Sequence, residues 1–280
     1  SAANANPRPA GRAKQVICLF QHGGPSQMDL FDPKPLLQKH HGKPYPGGDL
    51  EIHFDKQKGN VLGSPYQFRR FGDVGMELSE LLPHTGSIAD DLTLIRSLTT
   101  ESVDHESALR LIHTGRFLAG MPVWGSWVLY ALGTLNANLP AYVVLTAGRG
   151  GSGGVSNWSS GFLPSTYQGV LLRNQGDPIL HLTSPPGVTR EQDRVSLDAL
   201  RSLNQQRLAD LADPEIASRI AAYELAFRMQ TEAPEVFDLS GETQATLEMY
   251  GIGKDATDDY GRRCLLARRL AERGVRFSVV

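Results

Sequence analysis

Short apolar runs alternate with amphipathic stretches along most of the chain, a pattern typical of an α/β protein. The apolar runs predict strands at Val16–Phe20, Leu92–Leu98, Ala141–Thr146, Ile179–Leu182 and Val275–Val280. Apolar side chains at helical spacing predict helices at Leu78–Asp91, Asp104–His113, Val123–Leu135 and Ala256–Arg273. In Val123–Leu135, one face that is predicted to be buried carries Trp124, Trp127, Val128 and Ala131. Because strands that alternate with helices are usually parallel, we expect a mostly parallel sheet flanked by helices.

Residues 190–250 follow a different pattern, with long amphipathic helices and no strand. Thr189 and Gln192 fit a capping box, and Asp213 before Pro214 fits an N-cap followed by a first-turn proline. Two apolar stripes at helical spacing predict buried helix faces. They are Leu200, Leu203, Leu208 and Leu211, and then Ile216, Ile220, Tyr223 and Phe227. We interpret residues 190–250 as a helical cap or insertion against the sheet.

The composition is ordinary for a globular protein of 280 residues, with 40% hydrophobic and 21% charged residues. A net charge of −2 gives no electrostatic reason to expect binding to nucleic acid or to an anionic membrane. The apolar runs fall well short of the ~18 residues that a membrane span requires. Two cysteines are too few for a disulfide framework. We therefore expect neither a nucleic-acid partner nor a membrane span.

The two ends of the chain differ in character. Residues 1–14 are rich in Ala, Asn, Pro and Arg and predict a disordered lead-in. At the other end, the chain stops on the last predicted strand. We therefore expect residues 15–280 to be the N-terminal part of one domain that is truncated at its C-terminus.

The first candidate site follows the first predicted strand. That strand is predicted to be buried and to end at Gly23 and Gly24, and His22, Asp29 and Asp32 surround the turn behind it. In α/β proteins, ligands bind beyond the carboxyl ends of the strands, so these side chains are candidates for chemistry. The alternative is a strand, a tight turn and an aspartate that caps the next helix. The spacing alone leaves both interpretations open.

Histidines are concentrated in the half of the chain that holds this turn. Seven of the eight lie between His22 and His113. Histidine together with carboxylate suits zinc or another transition metal, whereas oxygen ligands alone favour calcium or magnesium. The sequence has no close-spaced ligand motif such as HExxH. It therefore suggests a divalent metal ion (zinc, calcium or magnesium) without choosing among them.

The second candidate site is the start of the predicted helix Asp104–His113. Its first turn carries Asp104, His105, Glu106 and Ser107, and a helix N-terminus favours bound anions. The alternative is that Asp104 caps the helix, which leaves His105 unexplained. A third stretch, Gly148–Gly154, is rich in glycine but lacks the ending of a P-loop. A nucleotide binder that uses this loop is a weaker alternative.

Three segments together resemble the bacterial domain of unknown function 1501 family. They are HGGPSQMDLFDPKP (His22–Pro35), Thr99–Gly133 and RRLAERGVRFSVV (Arg268–Val280). That family looks like a sulfatase-like branch of the alkaline phosphatase and sulfatase superfamily. The resemblance covers nearly the whole chain from Gln15 onward. It implies an alkaline-phosphatase-like α/β fold, a mostly parallel sheet flanked by helices.

The same resemblance implies roles for individual residues. The superfamily places a metal-ligating acid at the end of the first strand and a nucleophile at the N-terminus of a following helix. Here His22 stands at the strand end, and Asp29 is the nearest carboxylate. Aligning Thr114-Gly115-Arg116 with the TGR of sulfatases brings His105 onto the position of the sulfatase cysteine. The resemblance thus implies His22 and Asp29 as metal ligands and His105 as the catalytic residue.

The expected function is metal-dependent hydrolysis of sulfate or phosphate esters, with a small-molecule or glycan ester as substrate. No cysteine is available to become formylglycine, and Ser102 and Ser107 are off register. Whether the protein is an enzyme therefore stays open, and we expect this chain alone to be inactive. The alternative is a non-catalytic protein that binds sulfated or phosphorylated glycans. The resemblance also implies a periplasmic or secreted protein.

Overall fold

The structure is a computed structural model that describes residues 11, 13–47, 59–102, 104–147, 153–173, 178–179 and 182–280. Three predictions fall wholly or largely outside these residues: the lead-in 1–14, the strand Ile179–Leu182 and the loop Gly148–Gly154. Contacts divide the chain into two compact units. One contains residues up to Phe20 together with Leu109–Val280, and the other is Gln21–Ala108.

The elements are numbered in chain order. They are β1 (Val16–Cys18), α1 (Gln27–Leu30), α2 (Pro35–His40), β2 (Phe68–Phe71), β3 (Met76–Ser79), α3 (Pro83–Gly86), α4 (His105–Thr114), α5 (Trp124–Leu132), β4 (Tyr142–Val144), β5 (Val170–Leu171), α6 (Arg190–Leu211), α7 (Pro214–Phe237), α8 (Gln244–Met249), α9 (Asp258–Glu272) and β6 (Phe277–Val279). Short 3-10 helices also occur, among them Ala89–Asp91 and Gly154–Trp158.

The first unit is built on a four-stranded sheet in the order β1-β6-β4-β5. All three pairings are parallel, which confirms the expected mostly parallel sheet with helices. Strand β6 lies between β1 and β4, with Phe277 paired to both Val16 and Tyr142. The fourth strand is β5, which lies upstream of the predicted Ile179–Leu182.

Side chains alternate between two apolar clusters, because successive residues of a strand face opposite sides of the sheet. Tyr142 and Phe277 belong to the cluster that includes residues of α5. Val143 belongs to the other cluster, together with Val275 and residues of α7 and α9. The sheet is therefore covered by α5 on one face and by α7 and α9 on the other.

Gly125 lets α5 approach the sheet closely. A Cβ atom there would lie 2.7 Å from a ring carbon of Tyr142 and 3.0 Å from one of Phe277. Replacing Gly125 by alanine is therefore expected to lower the free energy of unfolding by about 1–3 kcal/mol, measured by urea denaturation. The control is Gly241→Ala, because a Cβ at Gly241 meets open space. Equal stability of the two variants would show that the contact is not tight.

The second unit contains the antiparallel pair β2–β3, and here the predicted helix Leu78–Asp91 is wrong. Leu78 and Ser79 pair with β2 instead, because the hairpin supplies them with strand partners. Proline suits the first turn of a helix, whereas in the interior it removes a backbone hydrogen bond and is costly. The helix therefore begins at Pro83 and ends at Gly86, and the 3-10 helix Ala89–Asp91 follows.

Two strand predictions also need correction. Leu92–Leu98 forms no strand, and its apolar side chains Leu92, Ile95 and Leu98 are exposed. Strand propensity does not form a strand without a partner, and within the described residues this segment has none. Strand β1 forms but is not buried as predicted, since Val16 and Ile17 are exposed. It is the edge strand of the sheet.

The caps predicted for residues 190–250 are present. Gln192 N donates to Thr189 Oγ1 at 3.2 Å, and Thr189 N donates to Gln192 Oε1 at 2.8 Å, which completes the capping box of α6. Asp213 caps α7 by accepting from Glu215 N at 2.9 Å. These caps explain why two long helices form where the sequence places them.

The two helices differ in what they bury. Met229, Ala233 and Val236 of α7 belong to the core of the sheet. Helix α6 packs on α7. The predicted burial of its leucine stripe is wrong, because Leu200, Leu203 and Leu211 are exposed. None of the helices that the structure describes is long and apolar enough to cross a membrane.

Candidate functional site

The turn after β1 brings the first candidate residues together. His22 comes four residues after Cys18, the last residue of β1, and is exposed. Gly23 and Gly24 follow with φ angles of +98° and +70°, which glycine adopts without steric cost. Ser26 is the N-cap residue before α1, the helix that carries Asp29. The glycine pair therefore sets the path of the chain between His22 and Asp29.

Asp29 is held by two serine hydroxyls. The hydrogen bonds from Ser64 and from Ser26 lower the pKa of the Asp29 carboxyl, because both stabilise the charged form. Asp29 is half-buried, and its backbone N–H donates to Ser26 O at 3.1 Å. The carboxylate is therefore ionised at neutral pH and fixed in place. Part of its acceptor capacity is already used by the serines.

The N-terminus of α4 is capped by Asp104. Its Oδ2 accepts from Ser107 N at 2.9 Å and from Ser107 Oγ at 3.1 Å. These bonds, and one from the backbone of Glu106, lower the pKa of Asp104. The capping interpretation therefore explains Asp104 fully. It also means that first-turn amides of α4 already have an anionic partner.

His105 is the first residue of α4 and lies beside His22. The centroids of their rings are 6.3 Å apart, and the ring planes are tilted by 43°. Both side chains are exposed and belong to the unit Gln21–Ala108. The structure thus brings two of the three predicted site residues into contact, although they are separated by more than eighty positions in the sequence.

Two facing imidazoles fit part of the ligand set of a zinc-type cation. A neutral imidazole gives one nitrogen to zinc at about 2.0–2.1 Å. Water or substrate oxygens would complete such a site. Within the described residues, however, no three His, Cys, Asp or Glu side chains are arranged to hold a metal ion. Any site here would therefore rest on the histidine pair.

A third histidine, which sequence reasoning did not single out, lies in the last turn of α4. His113 is only 5% exposed, and its ring packs on Phe20 with the centroids 5.0 Å apart. Its Nδ1 atom is buried without a hydrogen-bond partner. Burial lowers the pKa of His113, so the imidazole is neutral at pH 7. His113 lies four residues after the buried Leu109, so both lie on the same face of α4. This spacing could have predicted that His113 is buried.

A cavity of about 840 Å³ lies beside α6 and α7 in the first unit. Its walls are mostly apolar and include Pro185, Phe227 and Phe237. None of the predicted site residues lines it. Of the glycine-rich loop Gly148–Gly154, the structure describes only Gly153 and Gly154, at the start of a 3-10 helix.

The parallel sheet and its covering helices define an α/β protein, and the histidine pair of the unit Gln21–Ala108 is its candidate site. More specifically, residues 13–280 match the family model described as "Protein of unknown function (DUF1501)". The match spans nearly the entire chain, so the chain belongs to this family. The resemblance to the domain of unknown function 1501 family is thereby confirmed. Neither the curated proteins nor the solved structures include a significant match to the chain.

Proposed function

We propose that this chain is part of a metal-dependent hydrolase of sulfate or phosphate esters on an alkaline-phosphatase-like fold. The observation that carries the proposal is the pairing of His22 with His105 at the N-terminus of α4. In this proposal His22 binds a divalent cation and Asp29 is a further ligand. His105 is the catalytic residue that contacts the ester. A periplasmic or secreted location in a bacterial cell is part of the same proposal.

The charges around α4 explain why a cation would be needed. A sulfate or phosphate ester at this helix end meets the ionised Asp104, which already accepts from first-turn amides. The helix dipole alone is worth only about 0.3–1 kcal/mol to an exposed anion. A bound divalent cation would offset the charge of Asp104 and polarise the ester oxygen. In this proposal His22, whose ring lies beside that of His105, would supply an imidazole nitrogen to the cation.

A second candidate is a non-catalytic protein that binds sulfated or phosphorylated glycans. The hydrogen bonding of Ser102 and Ser107 favours this non-catalytic function. Ser107 Oγ donates to Asp104, and Ser102 Oγ is hydrogen-bonded to Ser107 Oγ at 2.5 Å. Both hydroxyls are therefore engaged in capping and neither is poised as a nucleophile. Such a protein would recognise the anion at the same histidine pair without cleaving it.

Metal binding by the purified chain tests the first proposal. Equilibrium dialysis against Zn²⁺, followed by mass spectrometry of the metal, is expected to give about one ion per chain. His22→Ala and Asp29→Ala, which remove the two proposed ligands, are each expected to weaken binding by about 10–100-fold, the usual cost of disturbing a metal site. The control is His84→Ala, since His84 is exposed on α3. Zinc bound equally by all four proteins, or by none, would contradict the proposal.

Turnover separates the two candidates. The full-length gene product, loaded with metal, is given 4-nitrophenyl sulfate and 4-nitrophenyl phosphate. A hydrolase releases 4-nitrophenol, and His105→Ala is expected to slow release by about 100-fold or more. No turnover, together with retention on a sulfated-glycan column that His105→Ala abolishes, would instead support the binding protein.

A further inference from the structure

The outer face of α5 carries a row of aromatic side chains. Trp127, Tyr130 and Phe162 are 42%, 56% and 63% exposed, and Tyr167 is half-buried. Ring centroids are 5.7 Å apart for Phe162 and Trp127, 5.9 Å for Trp127 and Tyr130, and 5.5 Å for Tyr130 and Tyr167. All three pairs meet edge to face. We call these four residues the aromatic row. Exposed apolar patches of this kind commonly mark binding sites.

The inner face of α5 fixes the position of the aromatic row. Gly125 and Ser126 are buried, and Gly125 packs against Tyr142 of the sheet. Ser126 Oγ and Val123 N both donate to Ser159 O, at 3.3 and 3.2 Å. These contacts attach the segment that carries Phe162 to the beginning of α5.

The two other members of the row are anchored as well. At Gly161, next to Phe162, a Cβ atom would overlap the backbone of Met121 and Pro122, so the segment lies directly against the chain entering α5. Close to Tyr167, Ser165 donates to Glu215 through its backbone N–H at 3.1 Å and through its hydroxyl at 2.6 Å. The row is therefore pre-organised, and binding to it would not have to order the rings first.

Charge narrows the ligand class. Residues 117–148 and 151–172, which contain the whole row, include no Asp, Glu, Lys, Arg or His. Single-stranded nucleic acid also stacks on aromatic rings, but its sites combine the rings with a positively charged groove. Anionic membranes likewise attract basic segments. The segments that form the row carry no charge of their own, and the nearby Glu215 is an anion, so the row favours an uncharged ligand over a polyanion.

The polar atoms of the aromatic row restrict the class of ligand that it could bind still further. Tyr130 and Trp127 are exposed and Tyr167 is half-buried, and they carry hydroxyl groups and an indole N–H at the edges of their rings. A ligand that suits both the aromatic rings and their polar edge atoms has two kinds of surface. Its apolar C–H faces would pack on the rings, and hydroxyl groups around its rim would hydrogen-bond to the polar atoms. Pyranose sugars have this chemistry.

We propose that the aromatic row is a binding site for a neutral polysaccharide, whose sugar rings stack on the faces of its aromatic rings. Because neighbouring rings of the row are nearly perpendicular, alternate rings rather than successive ones would face the same side of the sugar chain. This inference goes beyond the proposed ester hydrolysis and does not depend on it. The row lies in the unit that contains Leu109–Val280, whereas His22 and His105 lie in the other unit. The site would hold the protein on a glycan whether or not the histidine pair cleaves an ester.

Affinity electrophoresis tests the proposal on the purified chain. Native gels contain hydroxyethyl cellulose, laminarin, xylan, galactomannan or pullulan, all uncharged. At least one is expected to retard the chain, and Trp127→Ala and Tyr130→Ala are each expected to weaken retardation by about tenfold, since one stacked ring contributes about 5–150-fold. Trp127→Phe keeps a ring and is expected to stay within about threefold of the original protein. Tyr66→Ala removes an exposed ring elsewhere and is the control.

Circular dichroism of each variant verifies that it is folded, and tryptophan emission gives a second readout, because Trp127 would report a sugar stacked on it. His22→Ala and His105→Ala are expected to leave retardation unchanged, which separates this result from the fate of the proposed hydrolase. No retardation by any of the five polysaccharides overturns the proposal, as does equal retardation of Trp127→Ala. Trp127-dependent binding to anionic lipid vesicles only, or Trp127-dependent dimerisation in light scattering without retardation, also overturns it.

Discussion

Arg276→Met is expected to lower the free energy of unfolding by about 3–5 kcal/mol. Arg276 is 8% exposed and directly precedes β6. Its guanidinium donates to Gly133 O at 2.6 Å, to Leu132 O at 3.1 Å and to Lys14 O at 3.1 Å. Two of these carbonyls end α5, where the helix dipole also favours a positive charge. Methionine keeps much of the side-chain volume but leaves all three acceptors without this partner.

Urea denaturation measures this loss, with the midpoint and the slope m fitted together. Arg276→Lys is expected to be intermediate, because an ammonium keeps the charge but cannot reproduce the planar fork. Arg262→Met is the control, since Arg262 forms an exposed ion pair with Asp258 on α9 and should change little. A stability for Arg276→Met within about 1 kcal/mol of the original would show that water replaces the guanidinium.

The second large effect is a loss of stability in mild acid caused by His113. Burial holds the pKa of His113 below its usual value of 6.5, so the folded state binds fewer protons than the unfolded state. Stability that is present above pH 6.5 is then lost as the pH falls, by up to about 1.4 kcal/mol per pH unit, until the pH passes the folded pKa. The buried Nδ1 atom of His113 has no hydrogen-bond partner that could stabilise the charged imidazolium after protonation.

Urea denaturation at several pH values between 7.5 and 5 checks this expectation. His113→Leu removes the titrating group and should flatten the dependence over that interval, whereas the exposed His84→Ala should leave it intact. His113→Leu is also expected to be at least as stable at pH 7.5, because it removes an unsatisfied polar atom. Should the variant fail to fold, an NMR titration of His113 in the original chain decides the matter. A pKa at or above 6.5 would refute the prediction.

Local signals in the sequence predicted local structure well. The capping box at Thr189, the cap at Asp213 and the helix that begins near Asp104 all depend on neighbouring residues, and all are present. The parallel sheet was also predictable, because alternating strands and helices leave few other arrangements.

The errors arose where distant partners decide the outcome. Leu78 and Ser79 are helical by spacing, but β2 offers them a strand. Leu92–Leu98 has the composition of a strand yet finds no partner within the described residues. Leu203 on α6 is apolar but exposed, because packing on α7 determines which face is buried. Propensity and periodicity do not contain this information.

In the candidate site, too, the sequence predicted the individual residues but not the contacts between distant segments. The sequence indicated His22, Asp29 and His105 separately, from a turn, a helix and a family resemblance. The contact between His22 and His105, and the hydrogen bond from Ser64 to Asp29, join segments far apart in the chain. No spacing rule predicts such contacts. The aromatic row was likewise hidden, since Trp127 was interpreted as part of a buried helix face.

The central place of β6 in the sheet has a consequence for synthesis on the ribosome. Strand β1 pairs with β6, about 260 residues later, and β4 pairs with β6 as well. At about 5–20 residues per second, β1 is made roughly 13–50 s before its partner exists. The α6–α7 hairpin, whose contacts are local, can form during that interval. Strand β1 and its exposed Val16 and Ile17 therefore stay unpaired until β6 has been synthesised, and an unpaired apolar strand is a segment of the nascent chain that chaperones bind.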